Sequence, residues 1–415
     1  MDQVLFARRL QNTANTATRF NSITGGIGWI TTESVVFRVC PSSGKIKNLR
    51  VVLETSPGSG KSWAFTLMVD SVASALTVTI SDSATIGSDL SNQVSVTAGQ
   101  VVTIRAIPTG TPTQPVIGFT TIFTGDTAKE SLIMGSTNGL GLNSAATAFW
   151  PISIGPGSAD PTSELIAQQL CAGAGTIKNL YVQLTADPGT DPDAYRFTLR
   201  KNGVSQSLTT TITANDTTGN DTSNSFTVAA GDLLTLFVEP LNSPSVEPNA
   251  IWGVTFVADI DGESLIVSGS DDNLPNTTTE HYRIQFVNDT SWGVGEESRR
   301  NALDTCILRN LYVELENAPG TGNSFVFSLR ISSDEPPVTF GDGNLSVTIS
   351  DSATTGNDTS NSESIAPSQA VVIQANPDSV PTVGQAKWGM VMFIGNVASV
   401  NPGNLITKLE AVGII

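Results

Sequence analysis

One stretch recurs along the chain and decides what the chain can become. Residues Val78-Thr79-Ile80-Ser81-Asp82-Ser83-Ala84-Thr85 return unchanged at 347 to 354, and Thr218-Gly219-Asn220-Asp221-Thr222-Ser223-Asn224-Ser225 return unchanged at 355 to 362. A Gly-x-Asp-x-Ser-Asn core stands three times: Gly87 to Asn92, Gly219 to Asn224 and Gly356 to Asn361. Self-similarity at a fixed long period means tandem structural units. The 415 residues are therefore three copies of one unit of about 130 residues.

Two further markers keep the same phase. Lys47-Asn48-Leu49, Lys178-Asn179-Leu180 and Arg309-Asn310-Leu311 follow one another at intervals of 131 residues (48 to 179 to 310). A Pro-Gly pair follows each: Pro57-Gly58, Pro188-Gly189 and Pro319-Gly320. The residues between alternate, as in Leu180-Tyr181-Val182-Gln183-Leu184, which is a strand ended by a Pro-Gly turn. A second strand begins at Phe65, Phe197 or Phe327. Lys201-Asn202-Gly203 signals a hairpin, whereas copy three carries extra length with Glu335-Pro336-Pro337 and Gly341-Asp342-Gly343, expected in surface loops. Ala98-Gly99-Gln100 and Ala230-Gly231-Asp232 are tight turns between strands, and copy three has Pro367-Ser368-Gln369 there. Each unit closes with an apolar strand: Ile117-Gly118-Phe119, Trp252-Gly253-Val254 or Trp388-Gly389-Met390. Matching on the glycine aligns Ile117 with Trp252 and Trp388.

The opening strands align Glu130-Ser131-Leu132-Ile133 with Glu263-Ser264-Leu265-Ile266, and Asp2-Gln3-Val4-Leu5 serves as the first copy. This sets units at 1–127, 128–260 and 261–415, the last with a C-terminal extension. Roughly eight short strands per unit, without an amphipathic helix, predict an all-β protein of three tandem antiparallel β-sandwich domains of jelly-roll kind.

Composition excludes several classes. Twenty-one basic against 38 acidic residues leave a net charge of −17, which argues against a nucleic-acid partner or an anionic membrane. Only 14% of residues are charged and 39% hydrophobic, and Thr, Ser, Val and Gly abound, as in β-rich globular chains. No apolar run is long enough to span a bilayer as a helix. The segment Met1 to Arg9 has no signal-peptide pattern, and passage through a secretion pathway is not expected.

The side chains that could carry chemistry are few. His281 is the one histidine, and any triad would have to use it. It sits in an alternating strand pattern, which reads as structural. No phosphate-cradling loop precedes a helix, and no pair of carboxylates has spacing that would bring them together. The reading is therefore non-enzymatic. Asp89, Asp221 and Asp358 recur in all three copies. Beside Gly, Ser and Asn such an aspartate ends a turn by accepting backbone N–H groups, or contributes oxygens to a Ca²⁺ site. Cys40, Cys171 and Cys306 fall one per unit, shortly before the Asn-Leu marker, and read as small buried side chains. A shared metal would need further Cys or His close by. Trp29, Trp63, Trp150 and Trp292 lie in less matched segments, where an exposed ring would offer a sugar-stacking platform. Arg8, Arg9 and Arg19 form a small basic group, and the apolar stretch Leu405 to Ile415 has no counterpart in the other copies. Either end could complete its domain or dock on a neighbour.

Ala230-Gly231-Asp232-Leu233 followed by Trp252-Gly253 resembles the last strands of viral and tumour-necrosis-factor-like jelly rolls, and the repeated unit looks like domains of bacteriophage structural proteins. The resemblance implies a structural protein of a virus particle (capsid-associated, tail or fibre), located in the virion. Its partners would be other virion proteins or copies of itself, with no catalytic residues to carry over. A surface adhesin that binds a host glycan or receptor is the alternative, and a polysaccharide depolymerase is a third reading. The three units are compatible with a ring or with a rod.

Overall fold

The computed structural model describes residues 1–9, 14–25, 28–153, 162–270, 272–285, 291–333, 339–367 and 369–394. The architecture is all-β. The first unit runs β1 (Asp2–Arg9), β2 (Arg19–Asn21), β3 (Arg38–Val39), β4 (Gly44–Leu53), β5 (Gly58–Val69), β6 (Val72–Asp82), β7 (Ile86–Val96), β8 (Val101–Thr109) and β9 (Ile117–Gly125). The second runs β10 (Glu130–Ser136), β11 (Ala148–Trp150), β12 (Gln169–Leu170), β13 (Gly175–Leu184), β14 (Ala194–Lys201), β15 (Val204–Thr213), β16 (Thr218–Val228), β17 (Leu233–Leu241) and β18 (Ala250–Ala258). The third runs β19 (Glu263–Gly269), β20 (Glu280–Tyr282), β21 (Asn301–Ala302), β22 (Cys306–Leu315), β23 (Gly320–Ser332), β24 (Phe340–Asp351), β25 (Thr355–Ile365), β26 (Ala370–Asp378) and β27 (Ala386–Phe393).

Each unit builds two antiparallel sheets. In the first they are ordered β1-β9-β4-β7 and β2-β8-β5-β6, with the two-residue β3 also on β8. The other units repeat this as β10-β18-β13-β16 with β11-β17-β14-β15, and β19-β27-β22-β25 with β20-β26-β23-β24. Leaving out the two-residue strand and numbering the other eight of a unit in order gives 1-8-3-6 facing 2-7-4-5, which is jelly-roll topology. The sequence markers now have structural reasons. Asn48, Asn179 and Asn310 have φ of 56°, 55° and 56°, and each breaks the pairing register of β4, β13 or β22. They are bulge residues in the left-handed region, where asparagine is tolerated. Copy three's Gly341-Asp342-Gly343 belongs to β24 rather than to a loop, and Glu335-Pro336-Pro337 lies outside the described residues.

The shared Gly-x-Asp-x-Ser-Asn core sits at the open edge of each sandwich, where the last strands of the two sheets face each other. A Cβ on Gly87 would lie 2.7 Å from Val78 and 2.9 Å from Ile80, so only glycine lets β7 approach β6 this closely. Gly219 faces Thr210 and Ile212, and Gly356 faces Val347 and Ile349, in the same way.

Register corrects one alignment. Val51, Val182 and Val313 pair with Phe119, Trp252 and Trp388. The residue equivalent to the two tryptophans is thus Phe119, not Ile117. Gly253 and Gly389 correspond to Thr120.

Candidate functional site

The three sandwiches interlock in a closed cycle. β3 of the first unit lies against β10, β13 and β18 of the second; β12 of the second lies against β19, β22 and β27 of the third; β21 of the third lies against β1 and β9 of the first. The arrangement is a pseudo-threefold ring, and its seams are the most elaborate feature of the molecule.

The opening strand of each unit is shared between two cores. Leu5 packs in its own unit, while Val4 and Phe6 enter the core of the third. Ile133 stays home, while Leu132 and Met134 enter the core of the first. Ile266 stays home, while Leu265 and Val267 enter the core of the second. Side chains of a strand alternate between faces, so a strand with both faces buried reads as an unbroken apolar run. Burying each such side chain is worth about 1.5–3 kcal/mol. All three units meet at a cavity of about 20 Å³, lined by Gln3 and Thr24 of the first, Ser153 of the second and Ser264 and Gln285 of the third among others.

Polar contacts set each seam differently. Between the first and second units, Gln3 bonds both backbone groups of Leu132, and the Ser42 and Thr255 hydroxyls meet at 2.7 Å. Gly253 admits the β3 backbone there, because a Cβ would stand 2.5 Å from the Val39 carbonyl oxygen. Between the second and third, Gln169 Nε2 donates to the Val267 carbonyl at 3.2 Å, and Leu170 is the backbone that closes on Gly389. Between the third and first, Arg50 Nε donates to Asp304 at 2.9 Å. Here Thr120 takes the glycine's place, and the smaller Ala302 stands where Val39 and Leu170 stand elsewhere.

The recurrent aspartates are held apart, one per unit. Asp89 accepts the N–H groups of Thr77, Ser91 and Asn92 at 3.1, 3.2 and 3.1 Å, and the Asn92 side chain at 2.9 Å. Asp221 and Asp358 repeat this with Thr209, Ser223 and Asn224, and with Ser346, Ser360 and Asn361. Thr77 is on β6 and Asp89 on β7, so the carboxylate staples one sheet to the other and caps an otherwise unpaired edge N–H. Burial raises the pKa of each, but the hydrogen bonds from asparagine and backbone outweigh it and hold all three below the usual carboxylate value. No group of three metal-ligating side chains exists among the described residues.

The cysteines, the tryptophans and His281 are buried. Cys40, Cys171 and Cys306 are buried and unpaired. They are not three equivalents: Cys40 and Cys171 follow the seam strands, while Cys306 opens β22 where Gly44 and Gly175 open β4 and β13. Burial pushes all three thiols up to about 12. The six tryptophans are all buried, so none offers a sugar-stacking face. His281 on β20 is buried, with Nε2 3.0 Å from Gln374 and 3.4 Å from Glu296, which also pairs with Arg330. Burial lowers its pKa, against the pull of Glu296. In the second unit Glu164 and Arg200 pair at the corresponding place, with Phe149 where His281 stands. The cluster thus fixes a short helical turn to a sheet.

One side chain was not visible from sequence as unusual. Arg38, on seam strand β3, is fully buried; Nη1 donates to the Phe37 carbonyl, and Nε and Nη2 have no hydrogen-bond partner among the described residues. Its equivalent Gln169 bonds both backbone groups of Ser153. The Arg8 and Arg9 side chains and the stretch Leu405 to Ile415 lie outside the described residues. No family model matches the chain, and no curated protein matches its sequence.

Proposed function

We propose that this protein is a non-enzymatic structural component of a virus particle, of capsid-associated, tail or fibre kind, that acts by protein–protein assembly. The observation that carries the reading is the cyclic sharing of opening strands, each paired in its own unit and packed into the core of the next, by which one chain builds a body of three jelly rolls around a common axis. Such a body presents three related faces at once, which suits a place beside partners that are themselves arranged in threes. The recurrent motifs support the same reading, because each is accounted for by strand packing or edge capping. The burial of every tryptophan removes the feature that had favoured the glycan-binding alternative.

The test is to purify particles from infected cells, identify the chain by peptide mass spectrometry, and locate it by electron cryomicroscopy. Stoichiometric chain in density with a three-lobed body supports the proposal. Its absence from particles, together with saturable glycan binding by the purified chain, would sink it.

A further inference from the structure

The cavity where the three units meet is walled by one related position from each. β2, β11 and β20 end at Asn21, Trp150 and Tyr282, which pair with the equivalent residues Ile104, Leu236 and Ile373. Three residues further on stand Thr24, Ser153 and Gln285, and all three line the cavity. The residue just before is anchored in two of the units, where the indole N–H groups of Trp252 and Trp388 donate to the Ile152 and Ile284 carbonyls at 3.0 and 3.1 Å. Equivalent backbone thus delivers a polar side chain to the meeting point from every unit.

Most polar atoms there are already engaged. Gln3 commits both ends of its amide to Leu132, and the Ser264 hydroxyl donates to the Met392 carbonyl at 3.3 Å. Gln169 holds the Ser153 backbone at 2.8 and 3.0 Å, and Gln285 Nε2 donates to the Ser153 hydroxyl oxygen at 3.4 Å. Two atoms are left over. Thr24 Oγ1 and Gln285 Oε1 are shut off from solvent and have no hydrogen-bond partner among the described residues. Leaving a buried polar atom unpaired is destabilising, and native proteins satisfy such atoms with ordered water. Cavities that stay dry are apolar, whereas this wall carries Gln3, Thr24, Ser153, Ser264 and Gln285. A water needs about 10–15 Å³ and two or more polar partners, and the cavity of about 20 Å³ offers both. The two leftover atoms suit it, since the Gln285 carbonyl oxygen only accepts while the Thr24 hydroxyl both donates and accepts. A cation fits poorly, because Ca²⁺ takes about six to eight oxygens and no carboxylate lines the cavity.

We propose that this cavity binds one water molecule, which donates to Gln285 Oε1, accepts from the Thr24 hydroxyl and so ties the third unit to the first beside Ser153 of the second. The first test is a crystal structure of the full chain. Electron density at hydrogen-bond distance from both Gln285 Oε1 and Thr24 Oγ1 is expected; an empty cavity, or a direct bond between the two side chains, would overturn the proposal. The second test is the sign of a substitution. Thr24→Val keeps the shape, removes the hydroxyl and leaves the water short of a partner, so it should lower the urea midpoint by roughly 0.5 M. Thr24→Ser keeps the hydroxyl and should recover most of that loss. In a dry cavity the same hydroxyl is an orphan, and valine would be neutral or stabilising; either result sinks the idea. Oxygen-17 magnetic relaxation dispersion counts long-lived waters in solution. The natural chain should hold one more than the double variant Thr24→Val, Gln285→Leu, and equal counts would overturn the proposal. The density measurement needs no variant, so it decides even where a substitution unfolds the chain. None of these outcomes depends on whether the protein resides in a virus particle.

Discussion

The side chain of Gln3 holds the backbone of Leu132 at both ends. Its Nε2 donates to the Leu132 carbonyl at 2.8 Å and its Oε1 accepts the Leu132 N–H at 2.7 Å, in the buried seam between the first and second units. The equivalent residues Ser131 and Ser264 are too short to do this and bond within their own units. Gln3→Ala leaves a buried donor and a buried acceptor unpaired. The expected loss is about 1–3 kcal/mol for each group so exposed to an apolar seam. Urea unfolding followed by tryptophan fluorescence would measure it; no loss would mean that the seam carries little of the stability.

Asp221 should behave as a staple and not as a ligand. Asp221→Ala removes bonds to two backbone N–H groups of its own strand and one of β15, for an expected cost of about 2 kcal/mol. Because the folded pKa lies below the ordinary value, the stabilisation is complete above the unfolded pKa of about 3.9 and fades as pH falls through the folded one. The triple change Asp89→Asn, Asp221→Asn and Asp358→Asn should therefore flatten the acid limb of a stability–pH curve. Adding Ca²⁺ should leave Tm unchanged, and a rise of several degrees would restore the metal reading.

Arg38→Gln should stabilise the protein. A charged guanidinium buried with Nε and Nη2 unpartnered among the described residues carries a desolvation cost, and Gln169 shows that glutamine fits the equivalent place with its amide fully used. The expected gain is about 1–2 kcal/mol by denaturant titration. A loss instead would reveal that the charge has a partner that matters.

His281→Phe should remove a pH dependence. With the folded pKa depressed, the unfolded chain takes up a proton as pH falls through about 6.5 while the folded chain resists, so stability declines below that value. Phenylalanine already stands at the equivalent positions Phe20 and Phe149. Differential scanning calorimetry between pH 7 and 5 should show a smaller fall in Tm for the variant than for the natural chain.

The fold was legible in the sequence because its markers are local. A bulge needs asparagine at one place, an edge staple needs aspartate beside glycine, and both recur in phase. The joints between units were hidden because they are not local. The seam strands β3, β12 and β21 are two residues long and show no periodicity. The run Val4-Leu5-Phe6 is plainly apolar, but the reason lies more than 250 residues away in the third unit. Matching Trp252 to Ile117 failed because the glycine beside it answers to a neighbouring unit, and the first unit meets a different neighbour through Thr120. The cysteines are the small buried side chains that the sequence suggested, although Cys306 only coincides in number with the other two.

An assembly of three separate jelly rolls is governed by mass action and comes apart when diluted. Here the covalent links keep each seam facing its mate at a concentration that no dilution changes. The body can therefore arrive at its destination already formed, however scarce the protein is when it gets there.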